Sequence, residues 1–313
     1  MAALSSIDVL RVSRPCMWFV LIWFYLWPTG GIWELFTSSS FYLGLLTSTF
    51  PFNLLMFGMN DMFDFDVDQL HERKGGFVFG ARSSKKQLAE LPFLIAISNA
   101  VPLAVMLAIT GKLTPLLWAG GFLFCNLLYN VPPMSLARKG PWELPCVLIG
   151  VSCVTAFSCA VNDLPLPSIG AWLYHWMVMA RGQLHGEIID IDDDTRVGKN
   201  TTAVKIGKHL SHKLMLSLTV GTCVVSYVLL KSRLLAAYYV VDILLAQIIT
   251  NHDSEKTLVI FKMQSLIGIP FLGFFPASLG LALTWEYLRL LLSAGQHQGM
   301  LESSYAWSGI GWP

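Results

Sequence analysis

Charged side chains are scarce in this chain of 313 residues, because Asp, Glu, Lys and Arg together make up only 13% of it. A soluble domain carries about 25% charged residues. Apolar types make up 54% of the chain, and the mean hydropathy is +0.58. The chain therefore lacks the polar side chains needed to cover a globular surface in water. We predict a polytopic integral membrane protein whose outer surface faces lipid.

The sequence also lacks a large net charge, a metal-binding cysteine pattern and a signal-peptide cleavage site. The formal net charge is +1, so we predict no nucleic-acid partner. The six cysteines form no CxxC pair and none lies near His at zinc spacing, so we interpret them as packing residues. No A-x-A site closes the apolar run after Arg14, and we expect a membrane span there rather than a removable signal.

Apolar runs of about 17–25 residues, the length that crosses a bilayer as a helix, recur along the chain. No stretch looks like a separate soluble domain, so residues 1–313 are interpreted as a single polytopic membrane domain. We count nine predicted spans, at residues 16–36, 41–60, 88–110, 113–131, 144–162, 166–186, 212–230, 234–250 and 264–290.

The basic residues predict the orientation of these spans. With the N-terminus in the cytoplasm, 17 of the 21 lysines and arginines fall on the cytoplasmic side. Cytoplasmic loops of membrane proteins carry such an excess. An odd number of spans then places the C-terminus on the opposite side. The predicted location is an endomembrane such as the endoplasmic reticulum in a eukaryote, or the plasma membrane in a bacterium.

Half of the acidic residues are confined to two short windows. Residues 61–72 hold five of the 20 acids, and residues 187–194 hold another five. Both windows follow predicted spans at their cytoplasmic ends, and a basic cluster follows each of them. Scattered loop acids that only balance the basic residues would show no such grouping, although this solvated-loop reading is kept for Asp66, Asp192 and Asp193.

The spacing within the windows predicts a metal and phosphate site. On a continued helix, Asn60, Asp64 and Asp68 share one face, as do Asp190 and Asp194. Stacked carboxylates repel one another unless a cation lies between them. Magnesium prefers one or two carboxylates together with water and substrate phosphate. Two such faces at the mouth of a cavity would hold a diphosphate through Mg²⁺, with nearby Arg and Lys on the remaining phosphate charge.

These motifs resemble those of the UbiA superfamily of intramembrane prenyltransferases. Residues 60–68 match NDxxDxxxD, and residues 190–198 match DxxxDxxxG. The Tyr-Asn-Val-Pro-Pro stretch at 129–133 is similar to the family's turn after the fourth helix. Residues 135–137 read Ser-Leu-Ala where many members have Arg-Leu-Lys, and Arg138 is the basic residue that follows. The residues of the first motif are similar to those of lycopene elongases, whose acceptor is an isoprenoid.

The resemblance implies nine transmembrane helices around a lipid-open central cavity, capped by cytoplasmic loops at about 61–87 and 187–211. It implies Mg²⁺-dependent transfer of a prenyl group from an allylic prenyl diphosphate to an unidentified lipophilic acceptor. We expect no obligate protein partner. The metal ligands are then Asn60, Asp64, Asp68, Asp190 and Asp194, and the four aspartates among them are the catalytic residues. The substrate-binding residues are Asn60, Asp61, Arg73, Lys74, Arg82, Tyr129, Arg138, His185 and Lys199.

Two rival functions are compatible with parts of this pattern. A membrane terpene cyclase of the same fold would ionise a prenyl diphosphate in the same way and cyclise the chain without an acceptor. The motifs do not separate it from a transferase. A cation transporter would place its acids near the bilayer midplane, whereas these acids cluster at one membrane face beside basic loops.

Overall fold

The fold is helical throughout the part of the chain that the structure, a computed structural model, describes: residues 4–29, 32–69, 74–77 and 79–244. The β-type pairing in those residues consists of two isolated bridges, Gly76 with Gly80 and Lys139 with Asn200. The α-helices are α1 Ser6–Val12, α2 Trp18–Leu26, α3 Ser39–Phe63, α4 Phe65–Asp68, α5 Lys85–Leu88, α6 Leu91–Thr110, α7 Thr114–Asn130, α8 Glu143–Asn162, α9 Ile169–Arg196, α10 Thr202–Ile206, α11 Lys208–Val228 and α12 Arg233–Asp242.

Each of the first eight predicted spans overlaps one of these helices. The eighth, 234–250, can be followed only to residue 244, and the predicted ninth, 264–290, lies outside the described residues. The first span differs from its prediction of 16–36, because α2 passes into a 3-10 turn, Trp27–Thr29, at Pro28. Within the described residues, three helical stretches have the length and apolar composition to cross a membrane, namely Ser39–Phe63, Lys85–Thr110, which includes α5 and α6, and Glu143–Asn162. The sixth predicted span, 166–186, is the first part of a helix that continues to Arg196.

Residues 4–137 and 149–164 form one compact unit, whose core lies around α3. Phe52 of α3 is 1% exposed and lies between two aromatic rings. Its ring centroid is 5.0 Å from that of Phe122 and 5.2 Å from that of Phe157. Asn99 of α6 donates a hydrogen bond to the carbonyl of Pro51, 3.1 Å away, so a polar contact also joins α6 to α3. These contacts bury the middle of α3, the helix that ends at the first aspartate motif.

Hydroxyl side chains of α8 donate hydrogen bonds to backbone carbonyls at the end of α2. The carbonyl of Tyr25 accepts a hydrogen bond from Ser158 Oγ at 2.5 Å, and that of Phe24 accepts one from Thr155 Oγ1 at 3.2 Å. The Tyr25 hydroxyl donates to the carbonyl of Phe41 at 2.8 Å. Carbonyls at the end of a helix have no partner within it, and leaving them unsatisfied away from water is costly. The side chains of α8 therefore allow α2 to end inside the unit.

Residues 138–148 and 165–244 form the second compact unit, in which α9 packs against α10 and α11. Its core contains Leu184, Ile188, Ala203 and Met215, none more than 2% exposed. At the other end of α9, the hydroxyl groups of Tyr174 and Tyr239 are 2.9 Å apart. This packing supports the part of α9 that carries the second aspartate motif.

Candidate active site

The first motif lies where α3 ends. Asp64 is the residue between α3 and α4, and its φ of −102° and ψ of 17° interrupt the helix for one position. The hydrogen bonds nevertheless keep helical spacing, from Asp64 N to the Asn60 carbonyl and from Asp68 N to the Asp64 carbonyl, both 2.9 Å. Asn60 Nδ2 also donates to Asp64 Oδ2 at 3.0 Å. The predicted i, i+4, i+8 arrangement thus persists across a break that the spacing did not predict.

Asp61 is held by two cations. Arg14 Nη2 donates to Asp61 Oδ1 at 2.8 Å, and Lys74 Nζ donates to the same oxygen at 2.6 Å. The guanidinium carbon of Arg14 also lies 4.4 Å from the centre of the Phe57 ring. Asp61 is 3% exposed, and its Oδ2 accepts no hydrogen bond from the part of the chain that the structure describes. Asp61 was predicted to bind substrate, and its contacts here are with the protein's own basic residues.

Lys74 joins two carboxylates of the first motif. Its ammonium lies 2.6 Å from Asp61 Oδ1 and 2.7 Å from Asp68 Oδ2, and its side chain is only 4% exposed. Burial raises the pKa of Asp68 to about 6, and the neighbouring Lys74 opposes that shift. The pKa of Asp68 therefore reflects a balance between burial, which raises it, and the Lys74 ammonium, which lowers it.

A cleft lies beside the first motif. Predicted site residues on its wall are Asp61, Asp68, Lys74 and the exposed Arg82. Arg73, another predicted phosphate ligand, lies outside the described residues. The other residues that line the cleft are Phe65, Gln69, Ala81, Ser83 and Leu88. The cleft thus brings carboxylates and basic groups to one place, as the predicted metal and phosphate chemistry requires.

The second motif lies on the last turns of α9, with Asp190 half-buried and Asp194 only 2% exposed. The helix ends at Arg196, and Gly198 follows with a φ of +69°, a conformation that favours glycine after a helix. After this turn the chain folds back, so that Lys199 contacts the end of α9. Its N–H donates to the Asp194 carbonyl at 2.9 Å, and its ammonium lies 3.6 Å from Asp194 Oδ1. Each motif therefore has a lysine beside one of its aspartates.

Two buried glutamates near the second motif were not among the predicted site residues, although Glu187 lies in the second acidic window. Glu143 is 0% exposed and Glu187 is 4% exposed. Glu143 Oε1 accepts from the backbone N–H of Thr202 at 2.6 Å and also from the Thr202 hydroxyl, and Glu187 Oε2 accepts from Ala203 N at 3.1 Å. Glu187 lies one residue beyond the predicted sixth span. Its pKa is raised to about 7, mainly because it is buried and secondly because Glu143 carries a negative charge nearby. The sequence signal for Glu143 was its position directly before the apolar run 144–162, and the signal for Glu187 was the acidic window itself.

The remaining predicted residues are distributed over the two units. Tyr129 lies half-buried in the last turn of α7, in the first unit. Arg138 lies half-buried in the 3-10 helix Leu136–Arg138, at the start of the second unit. His185 is 8% exposed and lies on α9, five residues before Asp190. The structure thus places His185 on the same helix as the second motif.

The residues at the two motifs fit magnesium by their chemistry. Among the described residues, no three His, Cys, Asp or Glu side chains converge as a preformed ligand set. Magnesium does not need one, since it is bound through one or two carboxylates and completes its shell with water and substrate phosphate. The buried ammonium of Lys74 between Asp61 and Asp68 offsets part of the negative charge of the first motif.

The fold and these two carboxylate motifs define an all-helical integral membrane protein with paired acidic and basic groups. The model of the UbiA prenyltransferase family matches residues 15–257. The chain therefore belongs to the UbiA prenyltransferase family, and the predicted family is confirmed.

Curated relatives and a solved structure agree with this family. A lycopene elongase/hydratase from Corynebacterium glutamicum is 29% identical over 212 residues, covering 64% of this chain and 69% of the relative. A 4-hydroxybenzoate octaprenyltransferase from Aeromonas salmonicida is 24% identical, covering 66% of this chain and 69% of the relative. A UbiA homolog from Archaeoglobus fulgidus bound to DMAPP and Mg²⁺ has a TM-score of 0.62 at 18% identity, covering 84% of this chain and 97% of that one. This structural likeness shows the fold.

Proposed function

We propose that this chain transfers a prenyl group from an allylic prenyl diphosphate to a lipophilic acceptor and releases diphosphate in a Mg²⁺-dependent reaction. The observation that carries the proposal is that a lysine accompanies each carboxylate motif. Lys74 contacts Asp68, and Lys199 contacts Asp194. Carboxylates suit Mg²⁺ and ammonium groups suit phosphate. Together they favour an anionic diphosphate that is bound with a divalent cation.

At each motif, carboxylate oxygens would hold Mg²⁺, joined at the first motif by the amide oxygen of Asn60. Bound Mg²⁺ supplies positive charge that stabilises the leaving diphosphate. The Archaeoglobus fulgidus homolog binds Mg²⁺ with DMAPP or GPP, which supports the same pairing here. The residues proposed for this role are Asn60, Asp64, Asp68, Asp190 and Asp194.

The basic residues take the phosphate charge that the metal leaves. Arg82 is exposed and lines the small cleft beside the first motif. Lys74 occupies the same cleft wall while paired with Asp61 and Asp68. The Lys74 ammonium has three N–H donors. We propose that phosphate oxygens compete with the two carboxylates for these donors. Arg73, Arg138 and Lys199 complete the proposed set.

The chemistry needs little more from the protein than charge stabilisation and exclusion of water. The allylic carbon–oxygen bond breaks, and its electron pair leaves with the diphosphate. An electron-rich carbon of the acceptor then attacks the allyl cation and afterwards loses a proton. We assign Tyr129 to the aromatic wall that stabilises the cation. We assign His185, buried on the helix of the second motif, to the phosphate or to the released proton.

The acceptor is the least constrained part of the reaction. The lycopene elongase/hydratase relatives and the 4-hydroxybenzoate octaprenyltransferase relatives are named for an isoprenoid and for an aromatic acid. The similarity to the former is 29% and to the latter 24%, so an isoprenoid acceptor is the first one to test.

The test uses purified protein in nanodiscs with Mg²⁺ and geranyl, farnesyl or geranylgeranyl diphosphate. Each donor is offered alone, with lycopene and with 4-hydroxybenzoate, while diphosphate release and extracted products are measured. We expect a prenylated product from one combination, and no turnover when EDTA removes the metal. Asp64→Ala and Asp190→Ala should each lower kcat by about 100-fold, which corresponds to about 2.7 kcal/mol of transition-state stabilisation.

The matched controls are Asp66→Ala and Asp192→Ala, which remove exposed aspartates from the same two windows. They should retain near-normal turnover. A discrete cyclic hydrocarbon released without any acceptor would identify a terpene cyclase instead. Normal turnover in Asp64→Ala would overturn the site assignment, and the absence of diphosphate release with every donor and acceptor would overturn the proposed function.

A further inference from the structure

Two buried carboxylates from different parts of the chain reach adjacent backbone N–H groups after the second motif. Glu143, at the start of α8, accepts from Thr202, and Glu187, on α9, accepts from Ala203. Gln183, one turn earlier on α9, donates to the other oxygen of Glu187 at 3.1 Å. Hydrogen bonds from a backbone N–H to a carboxylate are stronger than those between neutral groups. Thr202 and Ala203 are therefore joined to both α8 and α9.

The turn that precedes α8, around Gly140, packs directly against residues 200–202. Gly140 N donates to the Asn200 carbonyl at 2.7 Å, and the Gly140 carbonyl accepts from Lys205 Nζ at 2.5 Å. A Cβ on Gly140 would lie 2.5 Å from Thr202 N and 2.6 Å from the carbonyl carbon of Thr201. No side chain fits in that space, so the backbone of the turn and the backbone of residues 200–202 are in direct contact.

This network links the basic residues before α8 to the basic residue that follows the second motif. Arg138 and Lys139 directly precede Gly140, and Lys199 directly precedes Asn200. Lys199 is in turn bonded to Asp194 through its N–H and lies near the Asp194 carboxylate through its ammonium. The position of Arg138 and Lys139 relative to the end of α9 therefore depends on contacts that Glu143 completes.

We propose that Glu143 is a positioning residue that acts through Thr202 to hold the basic turn 138–140 beside the second aspartate motif. Glu143 is fully buried and contacts no substrate in this role. Its effect is to keep Arg138 and Lys139 where they can meet the diphosphate. This inference rests on the proposed function only for its kinetic consequence, since the contact itself can be tested without any substrate.

The first test measures amide hydrogen exchange by mass spectrometry in wild type, Glu143→Ala and Glu143→Gln. Glu143→Ala removes the acceptor, so exchange in the peptide that contains Thr202 and Ala203 should accelerate at least about tenfold. Glu143→Gln retains an oxygen that can accept from Thr202 and should lie between wild type and Glu143→Ala. Thr202→Val, which removes only the hydroxyl donor, should show a smaller acceleration in the same peptide.

The second test separates positioning from general destabilisation. Glu143→Ala should raise KM for the prenyl diphosphate about tenfold while kcat changes less than about twofold, because displaced phosphate ligands weaken binding. Ser158→Ala is the control, since it removes a buried hydrogen bond to the Tyr25 carbonyl in the first unit. This control should lower thermal stability and leave KM unchanged.

The outcomes distinguish this inference from the proposed function. Unchanged exchange at Thr202 and Ala203 in Glu143→Ala would overturn the inference, as would a fall in kcat with KM unchanged. If wild type turns over no prenyl diphosphate, the proposed function fails, while the exchange experiment still reports on the contact. Faster exchange together with the rise in KM, partly restored in Glu143→Gln, supports the inference.

Discussion

Asp61 shows how a motif aspartate can serve the site through other residues. Its Oδ1 accepts from both Arg14 and Lys74, and the carboxylate is 3% exposed. Removing one partner from a buried ionic cluster leaves the remaining charges without compensation, which costs about 3–5 kcal/mol. We interpret Asp61 as a residue that anchors the N-terminal segment and Lys74 to the end of α3.

Asp61→Ala should therefore lower stability by about 3 kcal/mol, because Arg14 and Lys74 lose their shared acceptor. The measurement is thermal or denaturant unfolding in detergent. Asp66→Ala is the matched control, since Asp66 lies in the same motif with its side chain 84% exposed and makes a 3.4 Å surface contact with Lys85. Equal unfolding midpoints for the two variants would contradict this account of Asp61.

Gly80 allows the loop after the first motif to approach the same cluster. Its φ is +92°, and a Cβ would lie 3.1 Å from Asp61 Oδ2 and 3.3 Å from Arg14 Nε. Gly80→Ala should destabilise the protein by about 1–2 kcal/mol, through backbone strain and displacement of these groups. Gly76→Ala, in the same loop, meets nothing within 4 Å and should leave the unfolding midpoint nearly unchanged.

At the scale of the element, the contact between the turn 138–142 and the start of α10 is set by backbone packing. Gly140→Ala would place a methyl group 2.5 Å from Thr202 N, where no flexible side chain can move aside. We expect the turn to separate from α10, and trypsin to cleave after Arg138 or Lys139 at least about tenfold faster than in wild type.

The control for that proteolysis is Gly182→Ala on α9, where a Cβ meets nothing within 4 Å. Alanine is a better helix former than glycine, so this variant should be as stable as wild type or slightly more so. Unchanged cleavage of Gly140→Ala would show that the turn tolerates a side chain and that the close approach is not required.

The elements also show where sequence patterns were sufficient. Aspartates at i and i+4 predicted a shared helical face at residues 190–194, and α9 does continue through both aspartates of the second motif. The break at Asp64 was not predicted, because nothing in the local sequence opposes a helix there. Pro28 ended α2 earlier than the apolar run suggested, since hydropathy measures composition and takes no account of a missing N–H.

At the scale of the whole molecule, the distribution of lysine and arginine predicts the orientation in the bilayer. With the N-terminus in the cytoplasm, 17 of 21 basic residues lie on the cytoplasmic side. The exposed positions 163 and 196 follow α8 and end α9, so they should lie on opposite sides of the membrane.

Cysteine labelling in sealed vesicles tests this orientation. In a variant without the six native cysteines, Arg196→Cys should react with a membrane-impermeant reagent only from the cytoplasmic side. Asp163→Cys should react only from the other side. Labelling of both positions from one side would contradict the predicted arrangement of spans between them, and reversed labelling would place the N-terminus outside.

The sequence by itself determined the membrane class, the family and the positions of the two motifs, because hydropathy and residue spacing are local properties. Only the tertiary structure decided which groups those residues contact. Arg14 reaches Asp61 across 47 positions of the chain, and Glu143 reaches Thr202 across 59. Such pairings depend on how buried helices pack and on which polar groups remain to be satisfied there, and neither is encoded in any short stretch of residues.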